Sequence, residues 1–148
     1  MKIGLVIYGS LDTLSGGYLY DRKLVEGFRG LGDSVEIFSL PWRSYPAHLA
    51  DNFYWRLPHG VDVLIQDELN HPSLLGANAR RHPYPVISLV HHLRASERHS
   101  VIFAPIYRWI ETRYLRSVDG YIFNSRTTQA VVQNLAGDSR PYLVAYPP

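Results

Sequence analysis

The sequence predicts a doubly wound, parallel α/β sheet built from one chain of 148 residues. Three observations carry this. Apolar strand-like runs alternate with helical segments from one end to the other. The first run is continuous and rich in β-branched residues, as a strand covered on both faces requires. The length suits one domain with one core, which commonly takes ~100–150 residues.

The elements follow in order. Residues 2–8 form the first strand, and the polar, Gly-rich loop 9–17 follows it. A helix is expected over 17–31, with Leu24, Val25, Phe28 and Leu31 at helical spacing and Gly30 and Gly32 at its end. Residues 34–40 give a second strand and complete a βαβ unit. The next stretch is punctuated by Pro41, Pro46 and Pro58 and crowded with aromatics, and a short helix is expected over 48–56. Strands at 61–66 and 85–90 flank a helix over 72–81 that has Pro72 in its first turn. Pro105 opens a helix to about Arg116, with Tyr107, Ile110, Tyr114 and Val118 facing inward. A strand at 121–123, a helix capped by Ser125 and ended by Gly137, and a strand at 142–145 complete the chain.

Composition narrows the function. Apolar residues make up 46% and charged residues 19%, which argues against disorder. The formal charge is only +2, so nothing demands a nucleic acid, although 13 of the 15 basic residues are Arg. There is no cysteine, which excludes a disulfide scaffold, a thiolate metal site and a cysteine nucleophile. No apolar run approaches the ~18–20 residues that span a bilayer. The apolar N-terminus is too short and lacks the cleavage site of a signal peptide. A cytoplasmic protein is expected, with a peripheral membrane contact left open.

In such a sheet, ligands bind outside the carboxyl ends of the strands, where strand order reverses. Four segments meet that description: 9–17, 67–71, 91–99 and 124–126. Gly16 and Gly17 precede a helix N-terminus, where free amides and the helix dipole favour a phosphate. The competing reading is a tight turn, since neither the dinucleotide G-x-G-x-x-G nor the Walker pattern is present. Asp67 and Glu68 end a strand and can serve sugar hydroxyls or a solvated turn. His91 and His92 end another, and adjacent strand residues point in opposite directions, so at most one of the two faces a given ligand; each reads otherwise as a surface or satisfied core residue. Five histidines (His59, His71, His82, His91, His92) fall close together with His99 behind them, but no zinc-binding spacing links them, and no metal is expected. Arg94, Arg98, Arg108, Arg113 and Arg116 form a basic stretch beside Trp109, read either as an anion-attracting surface or as a solvated helix face with Glu111 as counter-charge.

With these segments in order, the chain resembles the N-terminal domain of family 4 glycosyltransferases of the GT-B type. The resemblance rests on residues 1–6, on Ser15-Gly16-Gly17-Tyr18 with Asp21 and Leu24, on 66–69, on 90–93, on 118–125 and on 145–148. It implies a Rossmann-like domain, one half of a GT-B fold, that binds the acceptor while a C-terminal domain, absent here, binds a nucleotide-sugar. It implies sugar transfer with retention and no metal or other cofactor. Gly16 and Gly17 would lie against the donor diphosphate, and His91 near the transferred sugar. Asp67, Glu68, Asn70, His71, His92, Asn124 and Ser125 would form the acceptor side and the cleft floor. His92 stands where the family often has Asp. The expected partners are the nucleotide-sugar, the acceptor and the missing donor domain, with a homodimer of the truncated domain as a further candidate. Alone, the chain is expected to bind acceptor weakly and turn over nothing. The alternative is a stand-alone Rossmann-like binding module or a subunit of a split enzyme; an NAD-dependent oxidoreductase is disfavoured by the missing glycine pattern.

Overall fold

A computed structural model describes residues 1–97, 101–137 and 139–147; Arg98, His99, Ser100, Asp138 and Pro148 lie outside the described residues. Among the described residues, six strands, β1 (Lys2–Tyr8), β2 (Ser34–Leu40), β3 (Val63–Asp67), β4 (Val86–Val90), β5 (Gly120–Phe123) and β6 (Tyr142–Val144), alternate with five α-helices. These are α1 (Gly16–Gly30), α2 (Tyr45–Ala50), α3 (His71–Asn78), α4 (Ala104–Leu115) and α5 (Arg126–Ala136). The strands form one sheet in the order β2-β1-β3-β4-β5-β6. Every pairing is parallel. The fold is therefore a Rossmann-like, doubly wound α/β sheet.

Strand alternation sorts the core into two faces. From β1, Ile3, Leu5 and Ile7 pack with Tyr18 and Val25 of α1 and with Ile65 and Leu89. Val6 and Tyr8 point the other way, into a larger cluster with Leu74 of α3, Tyr114 and Leu115 of α4, and Val132 of α5. One helix covers the first face and three cover the second. The single cover leaves Ile122 only half-buried and its register partner Leu143 exposed.

Two expectations shift. The helix expected over 48–56 begins earlier, at Tyr45, because Pro46 fits the first turn, and it passes into a 3₁₀ turn at Asp51–Phe53. Leu31, expected to face inward, is 82% exposed. Helix α1 has already ended at Gly30, and the chain turns at Gly32 with φ +93° while the Asp33 amide returns to the Phe28 carbonyl.

The order reverses between β1 and β3, which opens a crevice at their carboxyl ends. Gly9 shapes its rim. It turns the chain with φ +64°, and a Cβ there would lie 2.7 Å from the Trp42 ring, so glycine lets that indole close over the end of β1.

Candidate functional site

The crevice holds a cavity of about 340 Å³. Gly17, Asp67, Glu68, His71, His91 and His92 line it, joined by Trp42, Arg43, Tyr45, His48, Arg94 and others. Four segments far apart in sequence therefore converge on one space. Gly16, Asn70, Asn124 and Ser125 do not line it. Gly16 is exposed, and a side chain there would meet nothing within 4 Å. Asn70 is fully buried, with neither side-chain polar atom hydrogen-bonded. Asn124 donates to the His91 carbonyl at 3.0 Å, and Ser125 caps α5 by accepting from the Thr128 amide at 3.1 Å. Asn124 thus supports the His91 backbone from behind.

His91 is the centre of the first of two charged clusters. It leaves β4 toward the N-terminus of α1, where its ring lies 3.6 Å from the position of a Gly17 Cβ. Its Nε2 is 2.8 Å from Asp21 Oδ1, and Asp21 is completely buried. The ring is steadied by the edge of Tyr20, 4.9 Å between centroids. Burial by itself lowers the His91 pKa, but the Asp21 hydrogen bond and the charges of Asp67 and Asp21 outweigh it and hold His91 above the ordinary imidazole value. Asp67 is pushed up to about 7, first by burial and then by the nearby charge of Asp21, against the pull of His91. One of its oxygens accepts from the Leu69 amide at 3.0 Å and fixes the turn after β3.

The second cluster lies beside it. Glu68, His71 and Glu111 are all essentially inaccessible to solvent. Burial raises Glu68 to about 7 and lowers His71 to about 4, so His71 is a neutral imidazole at neutral pH. Its Nδ1 faces the Glu68 carbonyl at 3.0 Å, and its Nε2 meets the Tyr45 hydroxyl at 2.9 Å. Nδ1–H donating and Nε2 accepting satisfies both contacts. Arg94 bridges to the rim: its backbone amide donates to Glu111 at 2.7 Å, and its guanidinium lies 4.8 Å from the ring centres of both Tyr45 and Tyr107. Glu111 is therefore no surface counter-charge but a buried anchor for the loop after β4.

A third network supports the rim. The rings of Tyr8 and His48 stack at 3.9 Å. Asp51 accepts from Ser73 at 2.7 Å and pairs with Arg43. His48 Nε2 accepts from the Arg43 amide at 3.2 Å, which leaves its buried Nδ1–H without a hydrogen bond.

Ligand atoms of Asp21, Asp67 and His91, and likewise of Glu68, His71 and Glu111, lie within 4.8 Å of one another. Either set could in principle hold a cation. However, His91 sits 2.8 Å from Asp21 and His71 sits 3.0 Å from Glu68. Ligands around a tetrahedral ion with ~2.0 Å bonds stand about 3.3 Å apart. The Asp21–His91 pair is thus closed by a hydrogen bond and the Glu68–His71 contact is also too short, so both sets would have to spread to take a metal.

Sequence reasoning missed Asp21 as a site residue, and with it the Tyr45–Arg94–Tyr107 stack. Signals existed: Asp21 is four residues after Gly17, hence on the same helix face, and Glu111 shares a helical stripe with Tyr107 and Tyr114. Comparison of the chain with protein-family models and with curated proteins finds no match.

Proposed function

We propose that the chain is the acceptor-binding half of a retaining, family 4-type glycosyltransferase that uses a nucleotide-sugar. The observation that carries this reading is the placement of His91. It stands at the switch point, against Gly17 on one side and above a cavity floored by Asp67 and Glu68 on the other. The first-turn amides at Gly16 and Gly17 have no acceptor within their own helix, and the helix dipole favours an anion there. A departing nucleoside diphosphate gains negative charge as the sugar bond breaks, and such amides stabilise it. His91, whose charged form Asp21 favours, would donate to the transferred sugar and orient it. The acceptor would enter the cavity and present a hydroxyl to that sugar. The reaction needs the nucleotide-sugar as co-substrate and no further cofactor.

The test is turnover. The chain is fused to, or mixed with, a donor-binding domain taken from the following reading frame or a neighbouring gene. Nucleoside diphosphate release is then followed with a panel of nucleotide-sugars and acceptors. Acceptor-dependent release is the expected result; a combined protein that releases nothing with any donor contradicts the reading.

A peripheral membrane contact belongs to the same proposal, and one surface favours it. No described helix is long and apolar enough to cross a membrane. At the start of α4, however, Val101, Phe103, Ile106 and Trp109 are all more than half exposed. Ile106, Trp109 and Arg113 share one face by their spacing, and Arg113 stacks on Trp109. Apolar side chains beside arginines suit an anionic lipid surface. The chain should sediment with phosphatidylglycerol vesicles at low salt, less so at high salt, and not with phosphatidylcholine vesicles. Absence from the anionic pellet removes this part of the proposal.

A further inference from the structure

The two halves of α4 differ. The second half is buried, at Ile110, Glu111, Tyr114 and Leu115. The first half, residues 104–109, holds no buried residue. Ile106 and Trp109 in that half, with Val101 and Phe103 just before it, turn four large apolar side chains to solvent. Single apolar residues on a surface need no explanation, but neighbours in one patch mark a contact surface. The exposed Arg108 and Arg113 of the same helix suit an anionic one.

The patch adjoins the cavity by two routes. Tyr45 belongs to the cavity wall, and its ring meets that of Tyr107 edge-on, 4.8 Å between centroids. Tyr107 lies one helical turn beyond Phe103, whose carbonyl accepts from the Tyr107 amide at 3.1 Å. The loop after β4 leads to the same place. Glu97 lines the cavity, and Val101 is four residues on, within ~14 Å even along a fully extended chain. A cavity floored by Asp67, Glu68 and His91 and an exposed apolar surface therefore share one rim.

A molecule that uses both has a polar head and an apolar tail. About 340 Å³ is the small end for a ligand cavity and suits a head of one sugar-sized ring. A soluble sugar would leave the patch unused, and a protein docked on the patch would leave the cavity unused. We infer that the acceptor is a membrane lipid, with one hydroxylated ring in the cavity against Trp42 and Tyr45 and its hydrocarbon chain leaving across Phe103 and Ile106 into the bilayer. The inference rests on the transferase reading only in calling this lipid the acceptor.

The test uses the 148-residue chain alone, without a donor. NMR titration compares methyl with octyl glycosides of glucose, galactose and mannose, kept below the concentration at which the octyl compounds form micelles. At least one octyl glycoside should bind more than tenfold more tightly than its methyl parent, a gain that about two buried methylenes supply. It should move the Trp42 indole N–H at the head and the amides of Phe103 and Ile106 at the tail. Phe103→Ser combined with Ile106→Ser, both at exposed positions, should remove the gain from chain length and leave the methyl glycosides unaffected. The inference is overturned if no octyl glycoside exceeds its parent tenfold, or if the gain survives the double substitution. It is also overturned if Phe103 and Ile106 respond while Trp42 does not, since the cavity then takes no part. Equal transfer to methyl and octyl acceptors in the two-domain protein would sink this inference and leave the transferase reading standing. Chain-length-dependent binding without transfer from any donor would do the reverse.

Discussion

At pH 8, Asp67→Asn is expected to make the folded chain more stable than wild type by about 2 kcal/mol or more, and the gain should vanish at pH 4. In the unfolded chain the Asp67 carboxyl ionises near 3.8, whereas in the fold it ionises at about 7. Between those values the folded form holds a proton that the unfolded form has lost. Stability therefore falls as pH rises through that window, and the loss is complete above pH 7. At ~1.4 kcal/mol per unit the full shift corresponds to an upper limit of roughly 4 kcal/mol. Part of that is returned by the attraction of His91, which asparagine does not have. Glu68 contributes in the same direction. His71 acts the opposite way, because its lowered pKa costs stability as pH falls below 6.5. The His71 contribution cancels when variant and wild type are compared at the same pH by urea unfolding, whereas Glu68, which the Asp67 charge helps to raise, relaxes in the variant and adds to the gain. A variant less stable than wild type at pH 8 would show that Asp67 is paired, contrary to this account of the cavity floor.

In the two-domain transferase proposed above, His91→Ala should lower kcat by about 10²-fold while changing the KM for acceptor far less. A preorganised charged donor next to the reacting sugar acts mainly in the transition state. Asp21→Asn should leave the imidazole in place but release its charge at lower pH. Activity that depends on a protonated His91 is lost as pH rises through its pKa, so the alkaline limb of the rate profile should move to lower pH in that variant. A purely structural Asp21 would lower the rate at every pH without moving the limb. Unchanged turnover in His91→Ala would end the assignment of His91.

The fold was largely legible because its signals are local. Short apolar runs rich in β-branched residues, such as 2–8 and 86–90, read as strands covered on two sides, and Pro105, Ser125 and Gly137 punctuate the helices beside them. The boundaries that moved, at Tyr45 and Leu31, are set by cap geometry rather than by apolar spacing. The site was legible where topology forces it, at the strand ends that carry Asp67, Glu68 and His91. It was not legible where charged groups meet across the chain. Asp21 and His91 are separated by 70 residues, and Glu111 reads as a surface residue until Arg94 is placed over it. Asn124 and Ser125 show the reverse: residues of the right type in the right loop whose side chains hold the loop itself.

The central claim is that the buried carboxylates of Asp21 and Asp67 favour the charged form of His91 at the mouth of the cavity. The most direct measurement is an NMR titration of the His91 imidazole in the chain and in its Asp21→Asn variant. The account predicts a pKa above 6.5 in the first and a lower one in the second, where the Asp21 hydrogen bond and charge are gone and only Asp67 opposes burial. A wild-type value below 6.5, or one that Asp21→Asn leaves in place, would contradict it.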